Sequence, residues 1–380
     1  SSQTPRWWSE RKDDLIAIVR EQGSAFVINA DAVSAAAEKL NAMTALDRRF
    51  YAIKANAHPG ILDRLHAQGF GFECVSPGEI DHIRARFPDL PRERLLYTPN
   101  FSPREEYAHG FEQDAMVTID NLHPLKQWPE IFANRDVLLR IDPGKGRGHH
   151  AHVRTAGRQS KFGIAPDELQ QVLAAADAAK ARIVALHAHA GSGILTPDAW
   201  RHTADFLATI AEGIPSVRAL DLGGGLGIAE KPEQSPLDLD AVNDSLRAFK
   251  AIHPDLELWM EPGRYLVAHA GVLLARVTQL KTKGDVTYVG VETGMNSLIR
   301  PALYGAYHPI VNLSRIAEPR TLRAHVVGPI CETGDVLGHA RQLADTREGD
   351  IILIGNTGAY GRTMSSQYNL RSPAPEIILP

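Results

Sequence analysis

A lysine set among apolar residues, in FYAIKAN (50–56), poses the first chemical question. An ammonium group on a buried strand costs enough that it tends to lose its proton instead. A deprotonated lysine amine is a nucleophile toward an aldehyde. Lys54 fits equally well a packed stem whose head reaches solvent at a strand end, and the residues alone leave the two readings even. Consecutive glycines in DLGGGLGI (221–228) expose backbone N–H groups that can nest an oxyanion, although a tight structural turn has the same composition. Their spacing is not G-x-G-x-x-G, which disfavours a dinucleotide site. Ser192 in HAHAGSG (187–193) and Arg264 in EPGR (261–264) would add a hydroxyl and a guanidinium, so that three loops grip one phosphate. Glu261 facing a ring nitrogen would keep a pyridinium protonated and strengthen it as an electron sink. His189 would lie against the ring face, and a core histidine bonded to a neighbour accounts for it as well.

These residues need elements to place them. Eight short apolar or β-branched runs alternate with helix-like segments: FYAIKA (50–55), FGFECV (70–75), LLYT (95–98), MVTID (116–120), DVLLRID (136–142), RIVALHAHA (182–190), ALDLGG (219–224) and LELWMEPG (256–263). Segments 31–43, 167–181 and 238–253 have the pattern of amphipathic helices. Eight βα units over about 200 residues or slightly more predict an α/β fold with a (β/α)8 barrel, an open doubly wound sheet being the alternative. Lys54, Glu73, Arg140 and Asp142, His187 and His189, Gly223 to Gly225, and Glu261 with Arg264 then fall at the carboxyl ends of the strands, where a barrel keeps its chemistry, although any one of them could be an ordinary solvated rim residue. After residue 270 the runs GVLLARVTQL, DVTYVGVE, TLRAHVVGPI and DIILIGN are β-rich and punctuated by turn residues. We expect a barrel over 30–270 and a second, all-β domain from 271–380, to which 1–29 contribute a strand. DPGKGRGHHAHVRTAGRQSKFG (142–163) is rich in Gly, His and basic residues and is expected to form a lid at the barrel mouth.

With 380 residues, 44% of them hydrophobic, the chain can bury two cores. A formal charge of −4 and the absence of a Lys/Arg block disfavour nucleic acid or membrane as partners and favour small-molecule chemistry. Cys74 and Cys331 are far apart and form no metal or redox spacing, so no metal is expected and a reducing cytoplasm fits. The polar start and the lack of any run of about 18 apolar residues point the same way.

Nine motifs together resemble the fold-type III pyridoxal-phosphate-dependent decarboxylases, and among them the diaminopimelate decarboxylases. They are YAIKAN (51–56), ECVSPGE (73–79), SKFGI (160–164), HAHAGSG (187–193), LDLGGGLGI (220–228), EPGRYLVAHAG (261–271), GMNSLIRPALYGAYH (294–308), GPICETGD (328–335) and GAYGRTMSSQYN (358–369). The resemblance implies that Lys54 holds pyridoxal 5'-phosphate covalently, that His189 stacks on its ring and that Glu261 pairs with the ring nitrogen. It implies that Ser192, Gly224, Gly225, Arg264 and Tyr360 surround the phosphate. It implies a homodimer with shared active sites, in which Cys331 and Glu332 reach the partner's site and Cys331 supplies a proton. Arg300 and Tyr304 would take a distal carboxylate, with Arg264, Glu332 and Tyr360 also lining the substrate. The implied reaction converts meso-2,6-diaminopimelate to L-lysine and carbon dioxide, the last step of lysine biosynthesis.

Related decarboxylases acting on ornithine, arginine or carboxynorspermidine are the nearest alternatives. Amino-acid racemases of this fold resemble a pattern with arginine in place of Glu261, and non-catalytic cofactor carriers resemble the barrel alone. The chain departs from the family in having Glu73 where aspartate is usual, in the GKGRGHH stretch (144–150) and in its ending. Its start and end leave room for one domain of a longer fused polypeptide, whose upstream partner in such fusions of the family is an aspartate kinase, though nothing in these residues shows one.

Overall fold

The computed structural model describes residues 6–144, 160–189 and 191–379. Most of the expected lid, 142–163, lies outside these residues. The chain divides into two compact units, one of Ala37–Ile228 with Ser235–Tyr265 and one of Ser1–Ala36, Ala229–Gln234 and Leu266–Pro380. The divisions fall at 36/37 and 265/266, where the sequence suggested 29/30 and 270/271. The short segment 229–234, within a Pro-containing loop, groups with the second unit.

Strand β1 (Ala25–Asn29) belongs to the β-rich unit. The next eight, β2 (Arg48–Ala52), β3 (Gly71–Cys74), β4 (Leu95–Tyr97), β5 (Met116–Ile119), β6 (Asp136–Arg140), β7 (Arg182–His187), β8 (Ala219–Asp221) and β9 (Glu257–Met260), close into a parallel barrel. They coincide with the eight apolar runs. Closure comes from β2 against β9, with Arg48 opposite Trp259. Helices Ala30–Asn41, Leu169–Ala178 and Leu239–Ile252 occupy the three segments of helical periodicity. Asp238 caps the last of these by accepting from the Ala241 N–H at 3.0 Å.

Inside the barrel, Phe50, Leu96, Leu138, Ala185, Ala219 and Trp259 form one buried cluster with Met116 packed against it. Two small alanines leave room for the indole of Trp259, whose ring lies 5.5 Å from that of Phe50. The Arg48 guanidinium sits 4.6 Å over the same indole, toward the amino ends of the strands. Side chains alternate along a strand, so the residue two places further on shares the interior face. In six strands that residue is Thr98, Thr118, Arg140, His187, Asp221 or Glu261. An apolar layer thus carries a polar layer directly above it, at the carboxyl end.

The second unit is built around β10 (Gly271–Lys283). With β11 (Val286–Val291), β12 (Ile310–Asn312), β13 (Leu322–Val327), β14 (Val336–Leu343) and β15 (Ile351–Ile354) it forms a sheet in the order β12-β15-β10-β11-β13-β14. Strand β1 joins antiparallel to β10 and parallel to β16 (Glu376–Leu379), so the amino-terminal segment contributes a strand as expected. Both faces of the first half of β10 are buried: Leu273, Ala275 and Val277 in one cluster, Val272 and Leu274 in another with Leu15, Ile16 and Val19 of helix Lys12–Gln22, while its last six residues are exposed. That double burial explains why GVLLARV is a continuous apolar run rather than an alternating one.

Leu138→Ala should cost about 2–5 kcal/mol, because it opens a cavity in the barrel layer, whereas Ile252→Ala on the exposed end of its helix should change stability by about 0.5 kcal/mol or less. Denaturant midpoints of the two variants check this; equal midpoints would mean the apolar layer is not a packed core.

Candidate active site

The polar layer gathers Glu73, Thr98, Arg140, His187, Asp221 and Glu261 at one end of the barrel, and Lys54, His189 and Ser192 follow on the loops. So many ionisable groups can share a small volume only if their charges compensate. Arg140 supplies the central cation. Burial pushes its guanidinium down, while Glu261, Asp120, Glu73 and Asp221 all act to hold its proton. Its other side lies 4.7 Å over the Phe162 ring.

Lys54 is not on the strand but in a 3-10 turn, Ile53–Ala55, that begins where β2 ends. Ile53 and Ala55 are buried and Lys54 is exposed. The apolar flanks that suggested a buried amine therefore anchor the turn, and the turn swings the lysine outward. Burial is not what prepares this amine; position is. Its charge is felt by Glu73, Glu79 and His189. Glu73 is buried, and Thr98 donates its hydroxyl to Glu73 Oε1. Desolvation and the nearby Glu261 raise Glu73 to about 7 despite Lys54.

Glu261 sits just past β9 and is 8% exposed. His187 Nε2 lies 3.3 Å from Glu261 Oε1 and donates, since a carboxylate only accepts. Burial alone would raise Glu261, but His187 beside it and a hydrogen bond with Asp221 hold it below the usual carboxylate range. Burial and the Glu261 charge drive Asp221 well above its ordinary value. The polar atoms of His187, Asp221 and Glu261 lie within 4.8 Å of one another. That spacing would also suit a cation, but Asp221 and Glu261 already meet in a hydrogen bond, and the three form a protein-only network. His189, half-buried, accepts at Nδ1 from the Gly224 N–H at 3.2 Å. Burial, then Arg140 and Lys54, push it well below the usual imidazole range, so it is neutral with its proton on Nε2.

Three glycine-bearing loops are packed without room for side chains. A Cβ on Gly224 would come 2.4 Å from the Glu261 carbonyl oxygen, and one on Gly225, whose φ is +85°, would come 2.5 Å from that of Gly191. Backbone bonds join the same loops, with Ile194 N donating to Gly225 O at 2.9 Å and Glu261 N to Gly223 O at 2.8 Å. Ser192 Oγ is buried in this cradle with no protein partner among the described residues, and half-buried Arg264 begins the short helix Arg264–Val267. A buried hydroxyl awaiting a partner, a glycine turn that admits close approach and an anionic carboxylate with a neutral imidazole nearby fit a phosphorylated pyridine, the group implied by the sequence resemblance.

The remaining expected residues lie in the β-rich unit. Arg300 is buried at the start of helix Arg300–Tyr304, with Nη1 3.0 Å from His308 Nε2 and Nη2 3.7 Å from Glu230 Oε1. Tyr304 ends that helix and is half-buried. Cys331 and Glu332 are exposed on a turn pinned by Tyr368, whose hydroxyl donates to Glu332 Oε1 at 2.8 Å, and by Asn369, which accepts from the Cys331 N–H at 2.7 Å. Tyr360 is half-buried with φ +57°. Sequence reasoning placed Glu73, Arg140 and His187 at strand ends without giving them a role, and passed over Asp221 and Thr98. The period-two step from each apolar barrel residue would have found them.

A model of the family described as "Pyridoxal-dependent decarboxylase, pyridoxal binding domain" matches residues 31–268. The chain is 36% identical over 344 residues to a diaminopimelate decarboxylase of Methanothermobacter thermautotrophicus, covering 87% of this chain and 79% of that one. It is 36% identical over 344 residues to one of Pseudomonas aeruginosa, covering 87% and 80%. The solved diaminopimelate decarboxylase from Helicobacter pylori complexed with L-lysine superposes with a TM-score of 0.83 at 27% identity, over 94% of this chain and 92% of that one. A lysine/ornithine decarboxylase from Vibrio vulnificus complexed with cadaverine shares the fold, with a TM-score of 0.84 at 20% identity over 98% and 97%. The glycine cradle, the anionic Glu261 and the family match over the whole barrel converge: the chain belongs to the pyridoxal-dependent decarboxylases.

Proposed function

We propose that this chain decarboxylates meso-2,6-diaminopimelate to L-lysine and carbon dioxide, as a homodimer with shared active sites in the cytoplasm. The observation that carries decarboxylation is Glu261, buried yet held ionised beside His187. When bound, pyridoxal phosphate supplies a ring that accepts the electron pair left behind by a departing carboxylate. Glu261 keeps a proton on the ring nitrogen, which an arginine there would not do. Lys54, carried outward by its turn, provides the amine that holds the cofactor and yields to the substrate amine. Ser192, Gly224, Gly225 and Arg264 take the phosphate, and neutral His189 packs against the ring.

The substrate assignment is supported by the names of the relatives and by Arg300. A planar guanidinium held by His308 is preorganised for a second, distal carboxylate, with Tyr304 on the same helix. Glu332 and Tyr360 complete the substrate's surroundings in this reading. Cys331 holds the proton destined for the carbon that has lost carbon dioxide. Its exposure beside Glu332, which accepts from half-exposed Tyr368, with almost fully exposed Leu370 two residues beyond that tyrosine, supports delivery to a partner subunit. Two free cysteines support a reducing compartment.

Three outcomes test this reading. Lys54→Ala should abolish carbon dioxide release and the near-visible absorbance of covalently held cofactor, and normal turnover in that variant would refute the assignment. For the wild type, kcat/KM for meso-diaminopimelate should exceed those for L-lysine, L-ornithine and L-arginine by about 100-fold, because a substrate lacking the distal carboxylate forgoes its charge-assisted bonds to Arg300; comparable values would give the site to a different amino acid.

The third concerns Glu73, which folding raises from 4.5 to about 7. Between those values the folded state keeps a proton that the unfolded chain has released, so this group's stabilisation is complete below 4.5 and is lost as pH rises through 7. In cofactor-free protein, Glu73→Gln should flatten the fall in melting temperature across that window. An unchanged slope would put the proton on another group.

A further inference from the structure

The side chain of Asp221 is fully buried, and it is hydrogen-bonded both to the Gly223 turn and to Glu261. Its Oδ1 accepts from the Gly223 N–H at 2.9 Å, in the turn whose next residues, Gly224 and Gly225, belong to the phosphate cradle. Its Oδ2 is buried with no N–H or hydroxyl donor among the described residues, whereas both oxygens of Glu261 have His187 Nε2 within reach, at 3.3 Å from Oε1 and 3.2 Å from Oε2. The two carboxyl groups meet in a hydrogen bond. Two buried carboxylates in such contact, with polar atoms within 4.8 Å, cannot both be ionised, and a hydrogen bond between carboxyl groups needs one shared proton.

We propose that Asp221 is a positioning residue that carries this proton and donates it to Glu261, while its other oxygen holds the Gly223 turn, so that one neutral side chain fixes the ring-nitrogen carboxylate relative to the phosphate loop. The partners of the two residues decide which of them is neutral. Glu261 receives His187 Nε2, whereas the other Asp221 oxygen receives only a backbone N–H. The charged and titratable groups facing the pair are Glu73 from β3, Arg140 from β6, and His187 and His189 from β7 and its loop, with Lys54 beside Glu73 and His189. Arg140 acts on both carboxyls, so it does not reverse the order. A neutral donor at its side leaves the charge of Glu261 for the ring nitrogen, and the bond from Glu261 N to Gly223 O at 2.8 Å ties the same turn a second time.

The inference rests on Glu261 meeting the ring nitrogen, and the test separates the two claims. Asparagine reproduces the neutral acid, accepting from Gly223 and donating to Glu261; leucine reproduces only its bulk. Asp221→Leu should lower kcat by about 10–100-fold and weaken pyridoxal phosphate binding, the usual cost of losing a partner that orients a functional group, and Asp221→Asn should restore most of both. Equal losses in the two variants would overturn the proposal. Infrared difference spectra of wild type against Asp221→Asn, with and without cofactor, should show one protonated-carboxyl band lost from the wild type, and a band that survives the substitution would place the proton elsewhere and overturn it. If the band is lost while Asp221→Leu binds cofactor and turns over normally, the positioning role is overturned although the proton is located. Should neither variant fold, wild-type enzyme at about pH 8.5, above the titration of Glu73, decides alone: without a protonated-carboxyl band there, Asp221 is not the neutral partner.

Discussion

The site depends on how charge is buried at the carboxyl end of the barrel. Carboxylates from three strands, Glu73, Asp221 and Glu261, face one another across a space too small for three anions. Arg140, the hydroxyl of Thr98 and the N–H of His187 absorb part of that charge, and Glu73 and Asp221 give up the rest by being raised toward their neutral forms. Glu261 is left as the anion. The balance selects which carboxyl can hold a proton on a neighbouring ring and which can only donate a hydrogen bond.

The backbone carries that selection into geometry. The turn at Gly223 takes a bond from Glu261 N, gives one to Asp221, and its neighbour Gly224 gives one to His189. Three side chains from three strands are therefore referenced to two adjacent peptide units. A loop with ordinary side chains could not serve, because the carbonyls of Gly191 and Glu261 approach where Cβ atoms would stand.

Much of this was legible in the amino-acid order. The eight apolar runs became eight strands because each is bounded by turn residues and followed by an amphipathic stretch, and the three expected helices formed where expected. Lys54 was located but its exposure was left open between two readings, since FYAIKAN reads as one extended run until the 3-10 turn at Ile53 breaks it. The network of Arg140, His187 and Asp221 stayed hidden for a different reason. Its members are far apart in sequence and meet only through the register of β6, β7 and β8, in which Arg140 pairs with His187 and His187 with Asp221. In the β-rich unit the strands were visible but their partners were not. The parallel pairing of β1 with β16 joins residues about 350 apart, which no local pattern encodes.

The packed layer of Phe50, Leu96, Leu138, Ala185, Ala219 and Trp259, backed by Arg48, gives the barrel a solid floor. Among the described residues it closes the barrel interior from below, so whatever reacts above it departs by the doorway on the side from which it arrived. An amino acid that has lost a carboxyl but kept the rest of its frame still fills that doorway. Traffic is one-way-at-a-time, and accumulated product and fresh substrate contend for the same passage as a matter of architecture rather than of affinity alone.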